Sequence, residues 1–91
     1  MEIHRFTIIL DGLPEMTVEA SNRLYESGCD DSTPGSRQGV SHVDFHREAS
    51  SLKEAILSAI ADVHKAGFKV SHVETEDSET VSQINQGLLQ S

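Results

Sequence analysis

Apolar residues recur along this chain in two rhythms, one of period two and one of helical period. In residues 3–10, His4, Phe6, Ile8 and Leu10 fall on one face of an extended segment, and Ile3, Arg5, Thr7 and Ile9 on the other. Apolar groups on both faces predict a central strand. Asp11, Gly12, Leu13 and Pro14 follow as a turn. Residues 18–27 change to a helical rhythm, with Thr17 as N-cap, Glu19 near the positive helix end, and Val18, Leu24 and Tyr25 as a thin apolar stripe. Gly28 supplies the C-terminal stop. Two shorter extended stretches come next. Residues 29–33 suit a short edge strand, and the segment from Pro34 to Gly39 reads as the hairpin connection. In the following strand Val43 and Phe45 point one way, and His42, Asp44 and His46 the other. Residues 52–66 carry the strongest helical signal. Ser51 and Glu54 form a capping box, while Leu52, Ile56, Ala59, Ile60 and Val63 line one face. Gly67 stops that helix, and residues 68–75 alternate again. The order is β-α-β-β-α-β, a split βαβ sandwich.

That order predicts an α+β domain of the ferredoxin-like kind over residues 1–75, with a four-stranded antiparallel sheet and two helices on one face. Residues 76–91 form a second region. Glu74, Glu76, Asp77 and Glu79 make an acidic, solvated link. Thr80 and Gln83 then form another capping box, and Val81, Ile84 and Leu88 share a stripe. A short amphipathic helix is expected there, one that needs a surface to dock on because so few turns are marginal alone.

Composition narrows the function. Ninety-one residues make one domain, and 36% hydrophobic with 24% charged residues fits an ordinary globular protein. The formal net charge of −8 opposes the basic footprint that a nucleic-acid binder uses to neutralise phosphates. Cys29 stands alone, so no internal disulfide forms, and its acidic neighbours favour a packing role over a nucleophilic one. The N-terminus lacks the apolar core of a signal peptide, and no apolar run approaches the ~20 residues that span a bilayer. A cytoplasmic protein without membrane attachment is expected.

Candidate chemistry is sparse. His42, Asp44 and His46 project from one strand face, and neutral imidazoles with a carboxylate suit zinc-like ions. The outermost of them lie about 13 Å apart along the strand, too wide for one ion. Arg5 should sit beside them if the first and third strands pair. His42 and His46 therefore stand as the metal alternative to a polar open face on which Asp44 pairs with Arg5 or Arg47. Asp11 and Gly12 end the first strand at a helix start, where backbone N–H groups can meet a small ligand. Asp11, Gly12, Asp44 and Arg47 are the ligand-binding candidates. Neither a Ser-His-Asp set, a P-loop nor a pair of poised carboxylates is present, so no catalytic residue and no cofactor is assigned. The helix-free sheet face should carry Ile3, Ile9 and Val73 among polar groups, which suits a dimer. Ile3, Arg5, Ile9 and His42, with Ile84 and Leu88 from the C-terminal stripe, are the interface candidates.

Gly28-Cys29-Asp30-Asp31, Asp44-Phe45-His46-Arg47-Glu48-Ala49, the helix residues 54–63, and Ala66-Gly67 together resemble a group of small bacterial proteins of largely unassigned function. In that group a domain of this pattern precedes a helix-turn-helix segment. Val81-Ser82-Gln83-Ile84-Asn85 is similar to the start of the first helix of that segment, and the chain ends at Ser91, before a recognition helix. The resemblance implies a non-catalytic regulatory or interaction module that serves a transcription regulator or a toxin–antitoxin-like partner, as a homodimer or with another protein, without reading DNA itself. Asp11-Gly12 and Ala66-Gly67 also resemble the plan of ACT-type regulatory modules, which implies an amino-acid sensor as the alternative.

Overall fold

In the computed structural model, which describes residues 2–75 and 85–86, the chain runs β1 (Glu2–Asp11), α1 (Val18–Glu26), β2 (Ser32–Arg37), β3 (Val40–Ala49), α2 (Leu52–Lys65) and β4 (Lys69–Glu74). The strands form one open antiparallel sheet in the order β2-β3-β1-β4. The long apolar strands β1 and β3 take the centre, and the shorter β2 and β4 take the edges.

Alternation then decides what each face carries. Phe6, Ile8 and Leu10 of β1, Val43 and Phe45 of β3, and Val73 of β4 point to the inner face and join Leu24 of α1 and Ile56, Ile60 and Val63 of α2 in one core. Phe6 and Phe45 face each other across β1 and β3 with nearly parallel rings, 5.2 Å between centroids. Ala55 and Ala59 are fully buried on α2, which brings that helix close to the sheet.

Both helices are closed at each end. Thr17 caps α1 by accepting the Ala20 N–H at 3.1 Å, and Ser51 caps α2 by accepting the Glu54 N–H at 3.1 Å. Glu54 does not complete the expected capping box, because its carboxylate accepts the hydroxyl of Ser50. At the other ends, Cys29 N–H bonds to Leu24 C=O and Gly28 N–H to Tyr25 C=O, while Phe68 and Gly67 repeat the same pair of bonds onto Val63 and His64. Each helix thus ends in a Schellman motif whose next residue, Cys29 or Phe68, turns back toward the core.

Several sequence expectations shift. The edge strand β2 covers Ser32–Arg37, so Pro34 and Gly35 lie in the strand rather than in the connection. The turn is only Gln38 and Gly39, both at positive φ (52° and 80°), the two-residue primed turn that matches the twist of a hairpin. Strand β3 is correspondingly longer than residues 42–46. On α1 the buried positions are Ala20 and Leu24, while Val18 and Tyr25 face outward and are exposed. Val73 belongs to the inner face, because Ser71 is an extra residue that shifts the β4 register between Ile9 and Leu10. The C-terminal helix expected at residues 80–89, with Ile84 and Leu88, falls outside the described residues except for Asn85 and Gln86, which have helical backbone. Among the described residues no helix is long and apolar enough to cross a membrane.

Candidate functional site

The sequence candidates separate onto the two sides of the sheet. Ile3, Arg5, Ile9, His42, Asp44 and His46 come together on the sheet face opposite α1 and α2. Arg47 goes to the other side, and Asp11 and Gly12 lie at the end of β1.

On the open face the registers build cross-strand rows. One row runs Gly35, His42, Ile9, His72, and the next runs Thr33, Asp44, Thr7, Glu74. Thr7 donates its hydroxyl to Asp44 Oδ1 at 2.5 Å. His42 Nε2 lies 3.8 Å from Asp44 Oδ2, and His72 Nε2 lies 3.3 Å from Glu74 Oε2. Each flank of β1 therefore carries a histidine beside a carboxylate, with Ile9 and Thr7 between the two pairs. Asp44 pairs with Thr7 and His42, not with Arg5 or Arg47 as expected from sequence. Arg5 and His46 occupy the following row, and Ile3 faces Glu48 beyond it. Ile3 is 67% and Val40 45% exposed, so this face presents large aliphatic groups to its surroundings. A depression of about 350 Å³ opens here among Thr7, Ile9, Arg37, His42, Asp44 and Glu74. With Val40 at its rim, it mixes one guanidinium, one imidazole, two carboxylates and two aliphatic side chains. Among the described residues no group of three or more metal-ligating side chains gathers around His42 and His46 or elsewhere.

A second depression, of about 400 Å³, lies at the end of β1 among Asp11, Gly12, Gly39, Val40, Ser71 and His72. It adjoins the first through Ile9 and Val40.

Arg47 is 9% exposed on the inner face, a position where alternation calls for an apolar residue. Its side chain instead meets a full set of acceptors. Nε and Nη2 donate to the Asp31 carboxylate at 2.8 and 3.0 Å, Nη1 lies 3.0 Å from Asp62 Oδ2 and 3.1 Å from Ser58 Oγ, and Nη2 donates to Gly28 C=O at 2.9 Å. Its guanidinium also sits 5.1 Å from the Phe45 ring centroid. The hydrogen bonds that it donates to Asp31 hold this guanidinium in its charged form, above its ordinary pKa and against the pull of burial. Arg47 thus ties the end of α1 and the start of β2 to α2. Cys29 is buried beside this cluster. Burial first, then the negative charge of Asp62, pushes its thiol up to about 11, so the nucleophilic thiolate is suppressed as expected.

Sequence reasoning missed His72 and Glu74 as partners of the His42 face. Their spacing repeats that of His42 and Asp44, a signal present in the sequence, but only the register of β4 on β1 makes it spatial. Asp31, Ser58 and Asp62 were missed as the partners of Arg47, because nothing in the local sequence links them.

Comparison of the chain with family models, curated proteins and solved structures gives no match.

Proposed function

We propose that this chain is a non-catalytic interaction module of the ferredoxin-like kind that pairs with a second copy of itself through the open face of its sheet. The strand order β2-β3-β1-β4, with a helix after β1 and another after β3, supports the fold assignment. One observation carries the function. The face opposite α1 and α2 holds exposed Ile3 and Val40 and half-buried Ile9 among charges of both signs: Arg5 and Arg37 against Asp44, Glu48 and Glu74. A face that carries both signs of charge around aliphatic groups can meet a second copy of itself across a two-fold axis, and homodimers of this symmetry dominate among soluble oligomers. It does not match a polyanion, because the positive groups are interrupted by carboxylates.

Such a dimer fits the regulatory setting that the sequence resemblance implies, in which the domain supports a transcription regulator or a toxin–antitoxin-like partner from the cytoplasm. Sedimentation velocity tests the pairing: a dimer is expected for the unmodified chain and a monomer for Ile9→Lys. A monomeric unmodified chain at sub-millimolar concentration sinks the proposal.

The depression at the end of β1 favours a second reading. Asp11 and Gly12 line it beside His72, which supports the small-ligand sensor of the ACT kind as the alternative. An amino-acid ligand would raise the melting temperature by mass action on the folded state. A flat thermal-shift screen across all twenty amino acids removes this reading.

A further inference from the structure

An antiparallel sheet of four strands has two edges, and each exposes backbone donors and acceptors to strand addition. The β2 edge is blunted by its sequence. The Gln38-Gly39 turn makes Arg37 and Val40 a hydrogen-bonded pair, so Gly35 and Thr33 also bond to β3, and Ser36, Pro34 and Ser32 turn their backbone outward. The bond from His46 N–H to Asp31 C=O continues that alternation. Pro34 therefore stands at a position facing outward and has no N–H to offer there. The β4 edge has no proline. Its sequence, Lys-Val-Ser-His-Val-Glu, is a competent strand, and Val73 turns its N–H and C=O away from β1 while its side chain is buried.

Asn85 occupies that outward pair. Its Oδ1 accepts the Val73 N–H at 2.8 Å, and its Nδ2 donates to the Val73 C=O at 3.1 Å. A carboxamide is the side-chain equivalent of a peptide unit, and these two bonds reproduce those that a residue of an added antiparallel strand would make. We propose that the Val73 edge of β4 is a strand-addition site for a second copy of this chain, and that Asn85 occupies it in cis and closes it. Pairing is thereby steered to the open face, since Pro34 and Asn85 each remove one edge. The inference stands independently of face pairing, because it rests on the backbone of Val73 rather than on any open-face side chain.

The test uses the full chain in an Ile9→Lys background, with and without Asn85→Ala. Amide hydrogen exchange read by NMR at low concentration should show Val73 exchanging about tenfold faster after Asn85→Ala, the factor that one or two ordinary hydrogen bonds confer. Phe45, in the inner ladder with β1, should be unchanged and reports that the fold is intact. At high concentration the Asn85→Ala chain should gain mass by sedimentation over its own background. Unchanged Val73 exchange overturns the docking, and faster exchange without any gain in mass overturns the closure. Failure of face pairing would appear in Ile9→Lys alone, as a size equal to that of the unmodified chain, and leaves the edge result legible.

Discussion

Asp44 and Arg47 lie three residues apart on β3, yet they belong to different worlds. Arg47 points inward, is nearly buried, and spends its donors on Asp31, Asp62, Ser58 and Gly28 C=O. Asp44 points outward, is about half exposed at its side chain, and among the described residues holds Thr7 and the more distant His42. The inner charges have fixed partners and little left to offer; the outer ones retain lone pairs and donors that another molecule can meet. A charged residue on a sheet strand is therefore structural or available according to its face, and the residue type alone does not say which.

The contrast is most easily broken at Arg47. Arg47→Ala leaves the carboxylates of Asp31 and Asp62 without their cation, and removing one partner from a buried ion pair costs about 3–5 kcal/mol. Urea unfolding should show a loss of that size. A loss below about 1 kcal/mol would mean that the inner charge is as dispensable as a surface one. Gly28→Ala should come next, at about 1–3 kcal/mol. Gly28 has φ of 111°, and an added Cβ would meet the Asp62 carboxylate at 2.9 Å, the group that faces Arg47.

Cys29 sharpens the comparison through pH. Below pH 9 its thiol is neutral in both the folded and the unfolded chain. From about 9 to about 11 the unfolded thiol ionises while the folded one stays protonated, so stability should fall as pH rises and level off above the folded value. Cys29→Ala should remove that part of the alkaline decline, measured as unfolding free energy against pH. An identical decline in both proteins would contradict the buried, acid-flanked setting of the thiol. The smallest effect belongs to the open face. His42→Ala with Asp44→Ala should change monomer stability by no more than about 0.5 kcal/mol, as exposed pairs do, measured in the Ile9→Lys background so that pairing does not contribute.

Much of this fold is legible in the sequence because it follows from local rules. Period two in residues 3–10, the caps at Thr17 and Ser51, and the glycines at 28 and 67 fix element type and ends with few competing readings. The β2 hairpin is not legible, because Pro34-Gly35 is a strong turn signal that loses at an outward-facing edge position, where a missing N–H costs no ladder bond. Val18 and Tyr25 stay outside because α1 presents a narrow stripe, and Ala20 with Leu24 suffices to fill it. The site was legible only in part. Ile3, Arg5, Ile9, His42 and Asp44 follow from alternation, but His72 and Glu74 join them through a register set by the bulge at Ser71. Arg47 and Asp44 are both charged and near in sequence, yet the parity of the strand separates them.

The most direct test of the claim that the outer charges and aliphatic groups serve a second copy is sedimentation velocity on the unmodified chain and on Ile9→Lys, with melting temperature measured alongside. A dimer that becomes a monomer on Ile9→Lys, with cooperative thermal unfolding retained, is the expected result. A monomeric unmodified chain, or an Ile9→Lys chain that stays dimeric, would contradict it.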